Sequence, residues 1–304
     1  MQWGTPEDLK EYKEWHKAFL SLSKNKCVSD LKIENLIMPM AGKGQRFLDE
    51  GYKTTKPMIK VSGKPMVLQS INHLPLFNNY CFVTRTDIKN TKPVIKKFKY
   101  IHTNTYVKSL DKITNGQAHT AFIGLKHLDK KINIKDELVT FGACDVGVIF
   151  NREKLKILIS DKTIDLIVWT RKKNIKSISN PQMYGWVQEK KKLIHNISVK
   201  NPFHTKNNIS IITGIFTFRN KEVFIEGYNS LINKKNKING EYYLDSIIDE
   251  CLKLRKKCVT FQVDHYFSWG TPNELKTFEY WQSCFDKWNG HQYSMKKDPF
   301  IQNN

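Results

Sequence analysis

Leu36-Ile37-Met38-Pro39-Met40-Ala41-Gly42-Lys43-Gly44-Gln45-Arg46-Phe47 is the stretch on which the reading of this chain turns. Residues 35–40 have the length and apolar composition of a buried strand, and they feed a turn holding two glycines. Such a turn lets backbone N–H groups approach a polyphosphate, because no Cβ stands in the way. Ala41, Gly42, Lys43 and Gly44 are therefore the candidate cradle, with Arg46 and Lys56 as the cations that neutralise the bound charge. The turn lacks both the third glycine of a dinucleotide fingerprint and the Gly-Lys-Ser/Thr of a P-loop. Thr55-Lys56-Pro57-Met58 and Gly63-Lys64-Pro65-Met66 extend the block downstream.

Outward from it, strand-like and helix-like segments alternate, which predicts an α/β fold with a largely parallel sheet covered by helices. Strands are expected over 35–40, 80–84, 137–143, 164–170 and 209–218, a hairpin over 184–199, and helices over 66–74, 117–128 and 242–254. The strand at 137–143 delivers Asp145 to its C-terminal edge, where open α/β sheets bind their ligands.

The chain has 304 residues, 40% of them hydrophobic and 12% aromatic, enough for a sizeable core and too many for a disordered chain. No apolar run approaches the length of a membrane span. Lys and Arg number 50 against 29 acids, a net +21. Only six of those cations are arginine (Arg46, Arg85, Arg152, Arg171, Arg219, Arg255), and the lysines are dispersed, so a solvated basic surface is expected and a nucleic-acid partner is not. Six cysteines (Cys27, Cys81, Cys144, Cys251, Cys258, Cys284) show no paired or zinc-like spacing, and Met1 to Asp8 carries no export signal. Free thiols and a cytoplasmic location follow as expectations.

The two ends of the chain repeat one another. Trp3-Gly4-Thr5-Pro6-Glu7-Asp8-Leu9 answers Trp269-Gly270-Thr271-Pro272-Asn273-Glu274-Leu275, and the register runs on through Tyr12 and Phe278, Trp15 and Trp281, Phe19 and Phe285. Each copy reads as a helix opened by proline with one aromatic face. Residues 1–30 are thus expected to be a helix and linker resembling the closing helix of a preceding related domain, which implies a tandem domain upstream. Residues 31–290 form the body, and 291–304 a frayed polar tail.

The ordered block Gly-x-Gly-x-Arg, Lys-Pro and Gly-Lys-Pro-Met resembles the signature of the sugar-1-phosphate nucleotidyltransferase family. Further segments match in order: Asn115-Gly116-Gln117-Ala118 resembles the family's base-reading turn, Gly142-Ala143-Cys144-Asp145 its metal-binding aspartate, and Trp269-Gly270-Thr271-Pro272 its closing motif. Tyr184-Gly185-Trp186, Val199-Lys200-Asn201-Pro202, Thr213-Gly214-Ile215 and Gly240-Glu241-Tyr242-Tyr243-Leu244-Asp245 resemble its acceptor-pocket segments. The resemblance implies a Rossmann-like nucleotidyltransferase fold with a mixed, mainly parallel sheet. It implies transfer of a nucleotidyl group from a nucleoside triphosphate to a sugar 1-phosphate or related phosphorylated acceptor, with release of pyrophosphate, for surface polysaccharide synthesis.

By the same resemblance Arg46 stabilises pyrophosphate and Lys56 bridges the reacting phosphates. Gly116 and Gln117 contact the base, Gly185, Lys200, Gly214 and Glu241 hold the acceptor, and Asp145 binds Mg²⁺. Family members often form oligomers. One departure stands out: the second metal-binding aspartate of many members is matched here by Ser268, so a substitute carboxylate is expected from Asp264, Glu241 or Asp245. Two alternatives remain open, a cytidylyltransferase acting on phosphocholine or another phosphorylated alcohol, and a non-catalytic nucleotide-binding module.

Overall fold

In the computed structural model, which describes residues 4–24, 31–173, 180–203, 208–235 and 237–302, every expected element is present. The chain runs α1 (Pro6–Ser23), β1 (Lys32–Pro39), α2 (Gln45–Asp49), β2 (Lys60–Val61), β3 (Lys64–Pro65), α3 (Met66–Asn72), β4 (Leu76–Arg85), α4 (Thr91–Ile101), β5 (Thr105–Leu110), α5 (Gln117–Ile132), β6 (Val139–Phe141) and β7 (Val146–Ile149). It continues as α6 (Arg152–Ser160), β8 (Leu166–Arg171), β9 (Gly185–Lys190), β10 (Leu193–Val199), β11 (Ile209–Phe218), α7 (Lys221–Asn233), α8 (Leu244–Lys253), β12 (Cys258–Gln262), β13 (His265–Ser268), α9 (Pro272–Lys287) and α10 (Pro299–Gln302).

A nine-stranded sheet in the order β5-β4-β1-β6-β11-β8-β12-β10-β9 forms the centre. Side chains of a strand alternate between faces, so β1 sends Leu36 and Met38 into one core and Ile37 into the other, and β4 does the same with Phe82 against Cys81 and Val83. Helices must cover both faces, and the long apolar runs of these strands follow from that.

The half made of β5, β4, β1 and β6 is parallel, as expected. The other half corrects the mainly parallel sheet: β11 runs antiparallel to β6, β8 and β9, β10 antiparallel to β9 and β12, and only β8 and β12 are parallel. Apolar content reveals burial and not direction, so the sequence pattern could not separate the two cases. β11 pairs with β9 through Ile209–Ile211 and with β6 through Phe216–Phe218, and its register against β8 shifts between Ile212 and Phe216. At the break Gly214 takes φ +87°, the left-handed region open to glycine. The extra β11–β9 pairing closes strands β11, β8, β12, β10 and β9 into a ring.

A third apolar cluster joins both ends of the described chain to the body. Phe19 and Leu22 of α1 pack there with Phe278, Trp281 and Phe285 of α9, so α1 docks on its own body; Trp3 lies outside the described residues. The expected frayed tail is corrected as far as residue 302. Tyr293 and Phe300 are buried, Tyr293 donates to Asp298 at 2.7 Å, and Phe300 stacks on His73 at 3.8 Å between ring centroids. Two aromatic anchors outweigh the polar composition around them. Cys81, Cys251 and Cys258 are buried free thiols and Cys144 and Cys284 half-buried ones; Cys27 is outside the described residues. Among the described residues no helix is long and apolar enough to cross a membrane.

Gly214→Val is expected to lower the unfolding free energy by about 1–3 kcal/mol, because a β-branched residue at positive φ is strained and its Cβ would lie 3.2 Å from that of Ala143. Urea denaturation reads this out, and an unchanged midpoint would remove the bend from the account.

Candidate functional site

The parallel strands end on one edge, and the loops leaving them carry the chemistry. β1 delivers the Ala41–Gly44 turn, anchored where the Met40 N–H donates to the Val83 carbonyl at 2.9 Å and the buried Arg85 guanidinium donates to the Ala41 carbonyl at 2.5 Å. Arg85 thus positions the turn from beneath, a role the sequence pattern did not reveal. Gly42 and Lys43 face solvent, and a Cβ on Gly42 would meet nothing within 4 Å, so the main chain there lies open to a ligand. Gly44 ends the turn against Lys56, whose Cβ would be 2.8 Å from a Cβ at Gly44.

Lys56 then donates to Asp145 Oδ2 at 2.5 Å, with both side chains about one-fifth exposed (20% and 22%). Burial pulls the Lys56 ammonium down, but the Asp145 carboxylate and the Cys144 thiol push it back and win, so it stays above its ordinary value and cationic. Arg46 opposes that rise, which places its charge within reach of Lys56.

Asp145 sits in the loop between β6 and β7, and β7 pairs antiparallel with β13 so that Ser268 lies opposite Val146. The Trp269 N–H donates to the Asp145 carbonyl at 2.8 Å. A Cβ on Gly270 would lie 3.1 Å from Asp145 Oδ2, 3.3 Å from Glu274 Oε2 and 3.6 Å from Ser268 Oγ. Two carboxylates and a hydroxyl converge on that glycine. No group of three or more His, Cys, Asp or Glu side chains gathers at a metal-binding spacing among the described residues. The donor set fits a hard cation that takes one or two carboxylates and completes its shell with water or phosphate oxygens.

A second part of the site is held by main chain. The Tyr242 N–H donates to the Asn115 carbonyl at 2.8 Å and the Ala118 N–H to the Tyr242 carbonyl at 2.9 Å. Gly116 lies between them at φ +118°, where a Cβ would come within 2.6 Å of both Tyr242 N and Tyr242 O. This contact brings the Gly116-Gln117 turn against the loop that carries Glu241. Gln117 opens α5 half-buried, and Glu241 is exposed beside Gly116.

Neither a family model nor a curated protein matches the sequence. Solved structures do match. A nucleoside-diphosphate-sugar pyrophosphorylase from Vibrio cholerae is 19% identical with a TM-score of 0.65, over 80% of this chain and 98% of that one. An inositol-1-phosphate CTP transferase from T. maritima is 15% identical with a TM-score of 0.61, over 84% of this chain and 97% of that one. A UTP-bound UGPase from Acinetobacter baumannii is 14% identical with a TM-score of 0.60, over 84% and 95%. This chain has the sugar-1-phosphate nucleotidyltransferase fold.

Within that nucleotidyltransferase fold the expected acceptor segments meet around β9. Gly185 opens β9 with its Cα turned to the carboxylate of Asp245, where a Cβ would lie 2.2 Å from Oδ2. Lys200 follows β10, its N–H donates to the Tyr184 carbonyl at 3.1 Å, and its ammonium lies 4.9 Å above the Tyr243 ring. Gly214 touches the loop that carries Asp145, through Ala143.

Each of the expected substitutes for the missing aspartate has a contact of its own. Asp264 donates its N–H to Ile149 at the far end of β7, Glu241 stands by Gly116, and Asp245 faces Gly185. Glu274 shares the Gly270 position with Asp145. In the sequence it reads as a first-turn acid of α9, and it does sit there, with Thr271 Oγ1 donating to its Oε2 at 3.1 Å. What the pattern concealed is that this helix start abuts the sheet edge.

Burial pushes the Asp245 carboxyl up to about 6, with Lys200 pulling the other way. A raised carboxyl contributes stability that is complete below its unfolded value near 4 and is lost as the pH rises through about 6. Asp245→Asn is therefore expected to gain on the wild-type chain between pH 4 and 7 by roughly 1–2 kcal/mol, below the full linkage value because water still reaches the carboxylate. Chemical denaturation across that range checks the sign. Gly116→Ala should cost about 2–3 kcal/mol of stability, since neither its φ nor the Tyr242 main chain leaves room; the shift of the urea midpoint reads this out.

Proposed function

We propose that this chain transfers a nucleotidyl group from a nucleoside triphosphate to a sugar 1-phosphate or a related phosphorylated acceptor and releases pyrophosphate. The observation that carries the reading is the Lys56–Asp145 pair, set between the glycine turn at Gly44 and the closing segment at Gly270. An acceptor phosphate is already an anion near neutral pH, so it needs no general base. One of its oxygens forms a bond to the α-phosphorus as the bond from that phosphorus to the bridging oxygen breaks, and pyrophosphate leaves with the electron pair.

The barrier is the approach of two anions, and fixed cations lower it. Lys56 stands between the α-phosphate and the acceptor phosphate, Arg46 by the departing pyrophosphate, and Lys200 by the acceptor. The open main chain at Gly42 and Lys43 receives the triphosphate, and the Gly116-Gln117 turn receives the base. Asp145 and Glu274, with the Ser268 hydroxyl beside them, are the residues that would hold Mg²⁺; when bound, that ion supplies charge neutralisation on the phosphates. A cytidylyltransferase acting on phosphocholine or another phosphorylated alcohol is a second reading, favoured by the fold likeness to an inositol-1-phosphate CTP transferase.

The test is pyrophosphate release with Mg²⁺, each common triphosphate being offered hexose 1-phosphates, inositol 1-phosphate and phosphocholine. One triphosphate–acceptor pair should turn over, and Lys56→Ala should reduce its kcat/KM by at least about 100-fold. Glu274→Gln is expected to raise the Mg²⁺ concentration for half-maximal turnover by roughly tenfold or more. Nucleotide binding without release from any pair would favour the non-catalytic module instead.

A further inference from the structure

The repeat at the two ends has a geometric counterpart that the reaction does not use. Both helices start from a threonine N-cap in the same conformation, φ −132° and ψ 156° at Thr5 and φ −133° and ψ 157° at Thr271, each accepting from the N–H three residues on. The aromatic side chains that follow face one another across the α1–α9 contact.

Those contacts come in mirrored pairs under the equivalence of Tyr12 with Phe278, Trp15 with Trp281 and Phe19 with Phe285. Tyr12 meets Phe285 at 6.2 Å between ring centroids, and Phe19 meets Phe278 at 5.9 Å. Tyr12 meets Trp281 at 6.1 Å, and Trp15 meets Phe278 at 6.2 Å. Trp15 meets Trp281, its own equivalent, at 6.4 Å with the rings 20° from parallel. When residue i of one element meets j of the other, and j of the first meets i of the second, the two are related by a two-fold axis and the contact is isologous. The tryptophan pair and the Phe19–Phe285 pair, equivalents that meet at 5.3 Å, lie on either side of that axis. Two unrelated amphipathic helices have no reason to satisfy the condition at each of these positions.

We propose that the α9 face bearing Phe278, Trp281 and Phe285 is a self-complementary docking surface for the same helix of a second copy of this chain, and that α1 occupies it in cis. The register argues for that occupant over any other partner: α1 fits because it repeats α9, so α9 itself carries the matching ridge. The chain therefore holds its own pairing surface closed, and release of α1 opens it. This inference is independent of the reaction above.

The test uses the full chain. Trp15→Asp combined with Phe19→Asp should release α1, seen as loss of amide protection over residues 6–23, and the mass by analytical ultracentrifugation should double relative to the wild-type chain. Adding Trp281→Asp should reverse the doubling. In the released background, Trp281→Cys should form a disulfide with its own copy under oxidation, while Glu279→Cys, on the exposed side of α9, should not. Should the double variant fail to fold, a synthetic peptide of residues 270–287 added in excess to the wild-type chain must displace α1 and strip its amide protection, as a scrambled peptide must not. A released chain whose mass is unchanged, a doubling indifferent to Trp281→Asp, or a peptide that leaves α1 protected would each overturn the proposal.

Discussion

β11 has to satisfy three neighbours with one backbone. A straight strand offers one edge to each side, yet β11 needs β6 along its second half, β9 along its first and β8 along both. The register shift at Gly214 resolves this by turning the strand partway, so its edge leaves the open parallel sheet and closes the ring. Consequences for the site follow from that bend. It brings β9, with Gly185, over Asp245, and it seats Gly214 against Ala143, two residues before Asp145. The same few atoms that close the fold therefore also fix the distance between β9 and the loop that carries Asp145.

Charge at this edge acts by position rather than by amount. The chain carries a net +21, most of it on dispersed lysines, but the groups that shape the site are few. Arg85 spends its guanidinium on the Ala41 carbonyl and Asp87, and Lys56 is held by Asp145. A cation fixed by a partner and largely withdrawn from water keeps a defined place without being neutralised, which is what the proposed reaction between two anions requires.

Much of this was legible in the sequence because it is local. The glycine turn, the strand that feeds it and Asp145 at a strand end all follow from residue type and short spacing. What stayed hidden depends on contacts between distant segments. The direction of β11 leaves no trace in an apolar run, and the fit of Gly116 into the main chain of Tyr242 joins residues far apart in the chain. Glu274 was visible as a helix-start acid, but its proximity to Asp145 needs β13 to lie along β7. The terminal segment differs from expectation for another reason: its composition is polar, while Tyr293 and Phe300 are buried and Asp298 is buried with them, accepting from Tyr293.

The docking of α1 on α9 also sets an order of events during synthesis. An 18-residue helix in isolation is only marginally stable in water, and the partner that buries Phe19 and Leu22 is made some 250 residues later. At ordinary elongation rates of about 5–20 residues per second that interval is roughly 12–50 s. Through all of it the nascent chain carries the exposed aromatic face of α1, so this helix is made long before it can find its place, and the ribosome-bound stage is when that face is most open to capture by other hydrophobic surfaces.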